Sequence, residues 1–305
     1  MQTLYSALFA PLPKVDYRRE IWDTPDGDII AADQVAGPGD APLVVLFHGL
    51  EGGAQSHYAR SLMAEIHRRS WRGIVPHFRG CGGVPNRLPR AYHSGDTIEI
   101  EWMLRRALSI ANGAPLFAVG VSLGGNALLK WAGERGSEAR KSVKAIVAVS
   151  VPYELAATGD HLAVGINRIY TWNFLRTLKA NSRTKLSRFP KLFDGAAMQS
   201  ARNMREFDDA VTAPLHGFKN VDDYWMRASS KSALLNIRVP TRLIHARNDP
   251  FTPEHILPTA NDVSDQISFD FSVTGGHAGF VSGPFPGRLE KLPNKIIGFI
   301  GQQLV

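Results

Sequence analysis

One cysteine in 305 residues, Cys81, leaves no partner for an internal disulfide. No Cys/His cluster has the spacing of a zinc site, so the chain reads as metal-free and suited to a reducing compartment. Long hydrophobic runs are missing too: none approaches the ~18 residues that a membrane span needs. The opening stretch MQTLYSALFAPLPK has no basic residue ahead of its short apolar segment, unlike a secretory signal. A cytoplasmic protein is therefore expected. Internal repeats and low-complexity tracts are absent, which excludes solenoids and collagen-like chains. Acidic residues are the minority sign, 28 against 35 Lys and Arg, giving a net charge of +7. Over most of the chain that excess is scattered and no recognition motif accompanies it, so nucleic acid is not an expected partner.

What is present suits a packed core, since 44% of the residues are hydrophobic and 21% charged, ordinary for a globular domain. At this length a single core still suffices, with roughly 75% of the unfolded surface buried, so one domain carrying an insertion is expected. Two strand-like runs, 17–22 and 28–37, flank Asp26-Gly27, the signature of a β-hairpin. Short apolar runs then alternate with helix-period segments: LVVLF (43–47), RGIVPHF (72–78), PLFAVGV (115–121), KAIVAVSV (144–151), TRLIHA (241–246) and ISFDFSV (267–273). Runs without polar alternation suit strands covered on both faces, as in a parallel sheet.

Helical periods mark 58–69, 96–111 and about 290–304, the last with Leu292, Ile296, Phe299, Ile300 and Leu304 as its stripe. Asp96 and Glu99 would form a capping pair at the start of the second. The fold expected is α/β, a mostly parallel doubly wound sheet with an amino-terminal antiparallel hairpin. From 154 to 230 no strand signal appears, so that stretch is expected to be a helical cap inserted into a core built from 1–153 and 231–305. Such a cap would lie over the carboxyl edge of the sheet, where open α/β folds bind ligands.

The strongest local signal is Gly120-Val121-Ser122-Leu123-Gly124-Gly125, which follows an apolar strand and precedes a helical segment. This is a nucleophile elbow in the context it requires, and the glycines let strand and helix approach around a strained serine. Neither GxGxxG nor GxxxxGK[ST] is matched, which argues against a phosphate loop. A serine needs a base and an orienting carboxylate, in the chain order Ser…Asp…His. Asp249 in HARNDPF and His277 in TGGHAGF follow consecutive strands and meet that need. Glu154 and Asp160, after the strand at 144–151, are rival acids. For the oxyanion, the backbone N–H groups of Leu123 and of Leu50 in His48-Gly49-Leu50-Glu51-Gly52-Gly53 are the candidate donors. His48, His77 and His245 read as structural, His93 as a possible lining residue, and Cys81 as a small buried hydrophobe.

HGLEGG, HFRGCGG, YHSGDT, GVSLGGN, FDDAVTAPLHGF, ARNDPF and GGHAGF, in that order from about residue 15 onward, resemble the bacterial YheT-like branch of the α/β-hydrolases. That branch is related to plant embryogenesis-associated hydrolases and mammalian abhydrolase-domain lipid esterases. The resemblance implies Ser122 as nucleophile, Asp249 as acid and His277 as base. The expected activity is a cofactor-free serine hydrolase cleaving carboxylic esters, short- to medium-chain acyl esters or lipid-like esters, through this triad and an acyl-enzyme. An acyltransferase with the same triad and a non-catalytic binding protein are the alternatives. Between Asp160 and Asp194 lie seven basic residues and no acidic one. Within this stretch, 161–180 has helical period through Leu162, Ile166, Ile169, Tyr170, Phe174 and Leu178. An amphipathic helix with its apolar side on the site and a basic outer face, including Arg176, Lys179, Arg183 and Lys185, is expected, and that face would suit an anionic membrane.

Overall fold

Runs of Val, Ile, Leu and Phe without polar alternation are stable as strands only when both faces are covered. In the computed structural model, which describes residues 2–304, each of the six runs is a strand; the first five are mostly buried, and the last, at the sheet edge, is only partly so. A short helix α1 (Gln2–Leu8) precedes β1 (Arg18–Asp23) and β2 (Ile29–Val35), the expected hairpin. There follow β3 (Leu43–Phe47), α2 (His57–Arg68), β4 (Arg72–Pro76), α3 (Thr97–Ala111), β5 (Leu116–Val121), α4 (Leu123–Arg135) and β6 (Ala145–Val149). After a helical stretch come β7 (Thr241–Ala246), β8 (Ile267–Ser272) and, near the end, α11 (Lys291–Gly301).

The eight strands form one sheet in the order β1-β2-β4-β3-β5-β6-β7-β8. β1, β2 and β4 pair antiparallel, and every pairing from β4 to β8 is parallel. Alternation along the strands divides the core into two layers. Val45, Phe47 and Ala118 pack with Ile100 and Met103 of α3 and Trp131 of α4. Val44, Leu46 and Val119 face the other way, onto Leu62 and Ile66 of α2 and Ile296 of α11.

Two helix ends differ from expectation. Asp96 caps α3, accepting from the Glu99 N–H at 3.2 Å, but the Glu99 side chain does not reach back. It accepts instead from the buried Arg79 guanidinium at 3.1 Å, which also pairs with Asp26 and Asp28 and so has its charge compensated away from water. α11 stops at Gly301, so Leu304 lies beyond it and is 39% exposed.

Between β6 and β7 the chain forms helices only: α5 (Leu155–Leu162), α6 (Arg168–Arg188), α7 (Gly195–Ser200), α8 (Met204–Phe207), a π-helical turn (Asp208–Thr212), α9 (Ala213–Leu215) and α10 (Val221–Ala228), with short 3-10 turns between them. The continuous helix expected over 161–180 is broken after Leu162, with Gly165 at φ +58°. The break resets the helical phase, so the stripe does not carry across it: Ile166 and Ile169 are 77% and 56% exposed. Tyr170 and Phe174 of α6 turn inward against Phe251. Among the described residues no helix is long and apolar enough to cross a membrane.

Candidate active site

The carboxyl ends of β5, β7 and β8 carry the three side chains that the sequence singled out. Ser122 joins β5 to α4 at φ 54°, ψ −122°, a conformation that costs a residue with a Cβ about 1–3 kcal/mol. Its N–H donates to Val149 O at 2.8 Å, which ties the turn to the end of β6. The flanking glycines are steric necessities: a Cβ on Gly120 would stand 2.6 Å from Gly125 Cα, and one on Gly124 would stand 2.5 Å from Phe47 O.

The loop after β3 leans on the same turn, since a Cβ on Gly49 would lie 3.2 Å from Ser122 Cβ. Two tyrosines hold this loop. The Gly49 N–H donates to the Tyr58 hydroxyl and the Glu51 N–H to the Tyr92 hydroxyl, both at 2.9 Å. Leu50, between them, has no such acceptor for its N–H among the described residues. Leu123 is the first residue of α4, so its N–H has no partner four residues back within the helix. The two candidate oxyanion donors are thus backbone groups left over by the structure around them, one of them on the positive end of a helix.

Asp249 follows β7 and His277 follows β8. The His277 Nδ1 lies 2.9 and 3.1 Å from the Asp249 carboxylate oxygens. An ionised carboxylate only accepts, so Nδ1 carries the proton and Nε2 is the nitrogen left for chemistry. Burial pushes the Asp249 carboxyl upward, but the charge and hydrogen bond of His277 and the Phe251 N–H outweigh it, and the group is held below the usual carboxylate range. The Phe251 ring lies 4.1 Å from the imidazole.

The loop carrying His277 is fastened on several sides. Asn248 Oδ1 accepts from Gly275 and Gly276, Ser150 Oγ accepts from Ala278, and Thr3 Oγ1 accepts from His277 itself. The aspartate and histidine are thereby brought into hydrogen-bond contact. Ser122 shares their sheet edge, with no hydrogen bond from its Oγ to the imidazole among the described residues.

The rival acids lie in other pairings: Glu154 with Lys231, and Asp160, 61% exposed, with Arg205. His48 is locked as a neutral tautomer, donating from Nδ1 to Gly49 O while Nε2 accepts from Phe78, and burial lowers it to about 3. His77 bonds Asp33, and His245 is buried beside Asp249. Burial raises the Cys81 thiol, leaving it inert.

Leu50, Leu123 and His93 line a cavity of ≈ 390 Å³ beneath the stretch between β6 and β7, which contributes Leu178, Phe193 and Phe207. Ser122 does not line it; the cavity touches the elbow through Leu123. Lys185, expected on the outer basic face, points into this cavity and donates to Asn86 Oδ1 and the Leu88 and Arg90 carbonyls, and burial lowers it to about 8. Among the described residues no three His, Cys, Asp or Glu side chains group as a metal would require.

Sequence reasoning missed the residues that only brace this site. Asn126, fully buried, donates to Ser94 O and Ala228 O and accepts from Ser230, coupling α4 to the end of α10. The Glu51 carboxylate accepts from Tyr92 and from Asn181 of α6. Asn126, Asn248 and Tyr92 lie inside GVSLGGN, ARNDPF and YHSGDT, which was their one signal; Tyr58 had none.

The family described as alpha/beta hydrolase fold matches residues 42–284. YheT of Escherichia coli (strain K12), provisionally named an esterase, is 38% identical over 288 residues, covering 93% of this chain and 84% of its own. Phospholipase ABHD3 of Mus musculus is 30% identical over 297 residues, covering 93% of this chain and 71% of its own. Among solved structures, Est1E from Butyrivibrio proteoclasticus with ferulic acid bound superposes with a TM-score of 0.61 at 14% identity, over 95% of this chain and 99% of that one, a likeness of fold.

Proposed function

The chain belongs to the α/β-hydrolase family, and from that premise we propose that it is a serine esterase cleaving carboxylic esters of short to medium acyl length through a covalent acyl-enzyme. The observation that carries the reading is the Asp249–His277 pair at the sheet edge where a serine stands at positive φ. The names of the relatives, an esterase and a phospholipase, point to the same class of bond.

In this reading Ser122 Oγ attacks the ester carbonyl carbon while its proton passes to His277 Nε2. The developing oxyanion accepts from the Leu50 and Leu123 N–H groups, which need no reorganisation to meet it. The C–O bond to the alcohol breaks, and the imidazolium returns the proton to the leaving alkoxide. Water then attacks the acyl-enzyme, gives its proton to His277, and the acid departs as Ser122 recovers its hydrogen. Asp249 keeps Nδ1 protonated throughout and stabilises the imidazolium. The segment 154–230 acts as the cap, and its cavity of ≈ 390 Å³ takes the acyl chain, its walls being apolar at Leu178, Phe193 and Phe207.

The experiment is labelling by a fluorophosphonate together with a chain-length panel of activated esters, for wild type and Ser122→Ala. Wild type should label and turn over, with the variant reduced on the order of 10³–10⁶ in kcat. A variant keeping a tenth of wild-type turnover would overturn the assignment of Ser122.

A further inference from the structure

α6 is a helix with two unlike sides. Tyr170, Phe174 and Leu178 look inward, onto Phe251 and the cavity. Ile169, Trp172, Arg176, Lys179 and Arg183 recur at three- and four-residue spacing on another face, as one stripe. That stripe is open to water where its apolar members stand: Ile169 is 56% and Trp172 63% exposed, and Val164 and Ile166 just before the helix add 59% and 77%. Four large apolar side chains in water within so short a stretch mark a contact site rather than ordinary surface.

The charges around them are equally one-sided. Arg168, Arg176, Lys179 and Arg183 form no ion pair among the described residues, and the sequence has no acidic residue from 161 to 193. The Arg176 guanidinium lies 5.5 Å from the centre of the Trp172 ring, so cation and indole present themselves together. A second copy of the chain is a poor occupant, because self-pairing would set this cationic stripe against itself. Tryptophan and isoleucine flanked by unpaired arginines fit a surface that is apolar just below an anionic layer.

We propose that the outer face of α6, with the 164–166 turn, docks the protein on anionic phospholipid bilayers. The docking side is the reverse of the helix whose inner side lines the cavity, so a molecule leaving the bilayer would meet the roof of the site first. This goes beyond the esterase reading and does not depend on it.

The test is co-sedimentation of the full chain with phosphatidylcholine vesicles, with and without phosphatidylglycerol, at low and high salt. Binding is expected only with phosphatidylglycerol and should weaken as salt screens it. With about 1 kcal/mol, or fivefold, for each arginine near such a surface, Arg168→Gln/Arg176→Gln/Arg183→Gln should lower binding on the order of a hundredfold. Ile169→Ser/Trp172→Ser should also lose binding, and the wild-type tryptophan emission should shift to the blue on vesicles. Both variants should keep wild-type circular dichroism and turnover of a small soluble ester, which separates lost docking from lost folding. Ser122→Ala should bind vesicles as wild type does, so failure of the esterase reading leaves this result standing. The proposal is overturned if wild type does not sediment at low salt, or if either variant sediments as well as wild type. Concentration-dependent dimers without lipid, abolished by the same substitutions, would overturn it in favour of a second copy.

Discussion

Replacing Asp249 by Asn changes one atom, and the hydrogen bonds decide the consequence. Asp249 Oδ1 accepts from the Phe251 N–H at 2.8 Å, and Oδ2 lies 2.9 Å from His277 Nδ1. A backbone N–H can only donate, so the amide oxygen of Asn must stay on Phe251. The amide NH2 then faces Nδ1, which has to become an acceptor, and the imidazole proton moves to Nε2. That is the nitrogen that must be bare to take the Ser122 proton. The loss should be about 10⁴ in kcat, equivalent to about 5 kcal/mol of barrier, with KM little changed. Because the Phe251 bond survives, the melting temperature should barely move. Asp249→Ala, in contrast, strands a buried N–H at a cost of about 1–3 kcal/mol and should melt earlier. The assay is steady-state turnover of an activated ester with a thermal melt on the same sample. Asn keeping a tenth of wild-type kcat, or losing activity only because it unfolds, would refute the tautomer argument.

Ser122→Gly should abolish fluorophosphonate labelling yet raise unfolding stability on the order of 1 kcal/mol in denaturant titrations, since φ 54° costs glycine nothing. Tyr92→Phe strips the Glu51 N–H of its acceptor and loosens the loop that presents the Leu50 N–H. Turnover should fall roughly ten- to a hundredfold with KM for a short ester unchanged. Asp208, buried beneath Trp225 and Thr212, is raised by burial to about 6 despite their hydrogen bonds. Its folded state therefore holds the proton longer than the unfolded chain, so its stabilising effect is full below about pH 4 and is lost as pH rises through about 6, by roughly 3 kcal/mol. The difference in unfolding free energy between wild type and Asp208→Asn, followed from pH 4 to 8, should trace that loss; a flat difference would contradict it.

The strands were legible because a parallel strand covered on both faces has no choice but continuous apolar sequence, and LVVLF and TRLIHA coincide with β3 and β7 to the residue. Ser122 was legible because its strained turn needs Gly120 and Gly124, a local requirement that leaves a local mark. The phase of α6 was not, because the turn at Gly165 rotates everything after it and periodicity cannot be carried through such a break. Lys185 read as a surface charge from its neighbours along the chain. Its actual partners, Asn86, Leu88 and Arg90, lie about a hundred residues away. Tyr92 is a similar case: it opens YHSGDT, but the loop it serves, at Glu51, lies 41 positions off, so its role could not be read from its neighbours.

The opposed sides of α6 give selection two separate handles on one helix. Drift at Leu178 reshapes the cavity, and drift at Tyr170 or Phe174 the packing on Phe251, without altering what the outside meets, and drift at Ile169, Trp172 or Arg176 does the reverse. Tyr170 and Phe174 pack on Phe251 while Arg176 stacks on Trp172, so the effects of changes at these positions should combine additively, within about 0.5 kcal/mol. A Leu178→Trp/Trp172→Ser double variant should thus show the chain-length preference of the first parent and the vesicle affinity of the second. The two sides of one helix can thus change independently, one rung at a time.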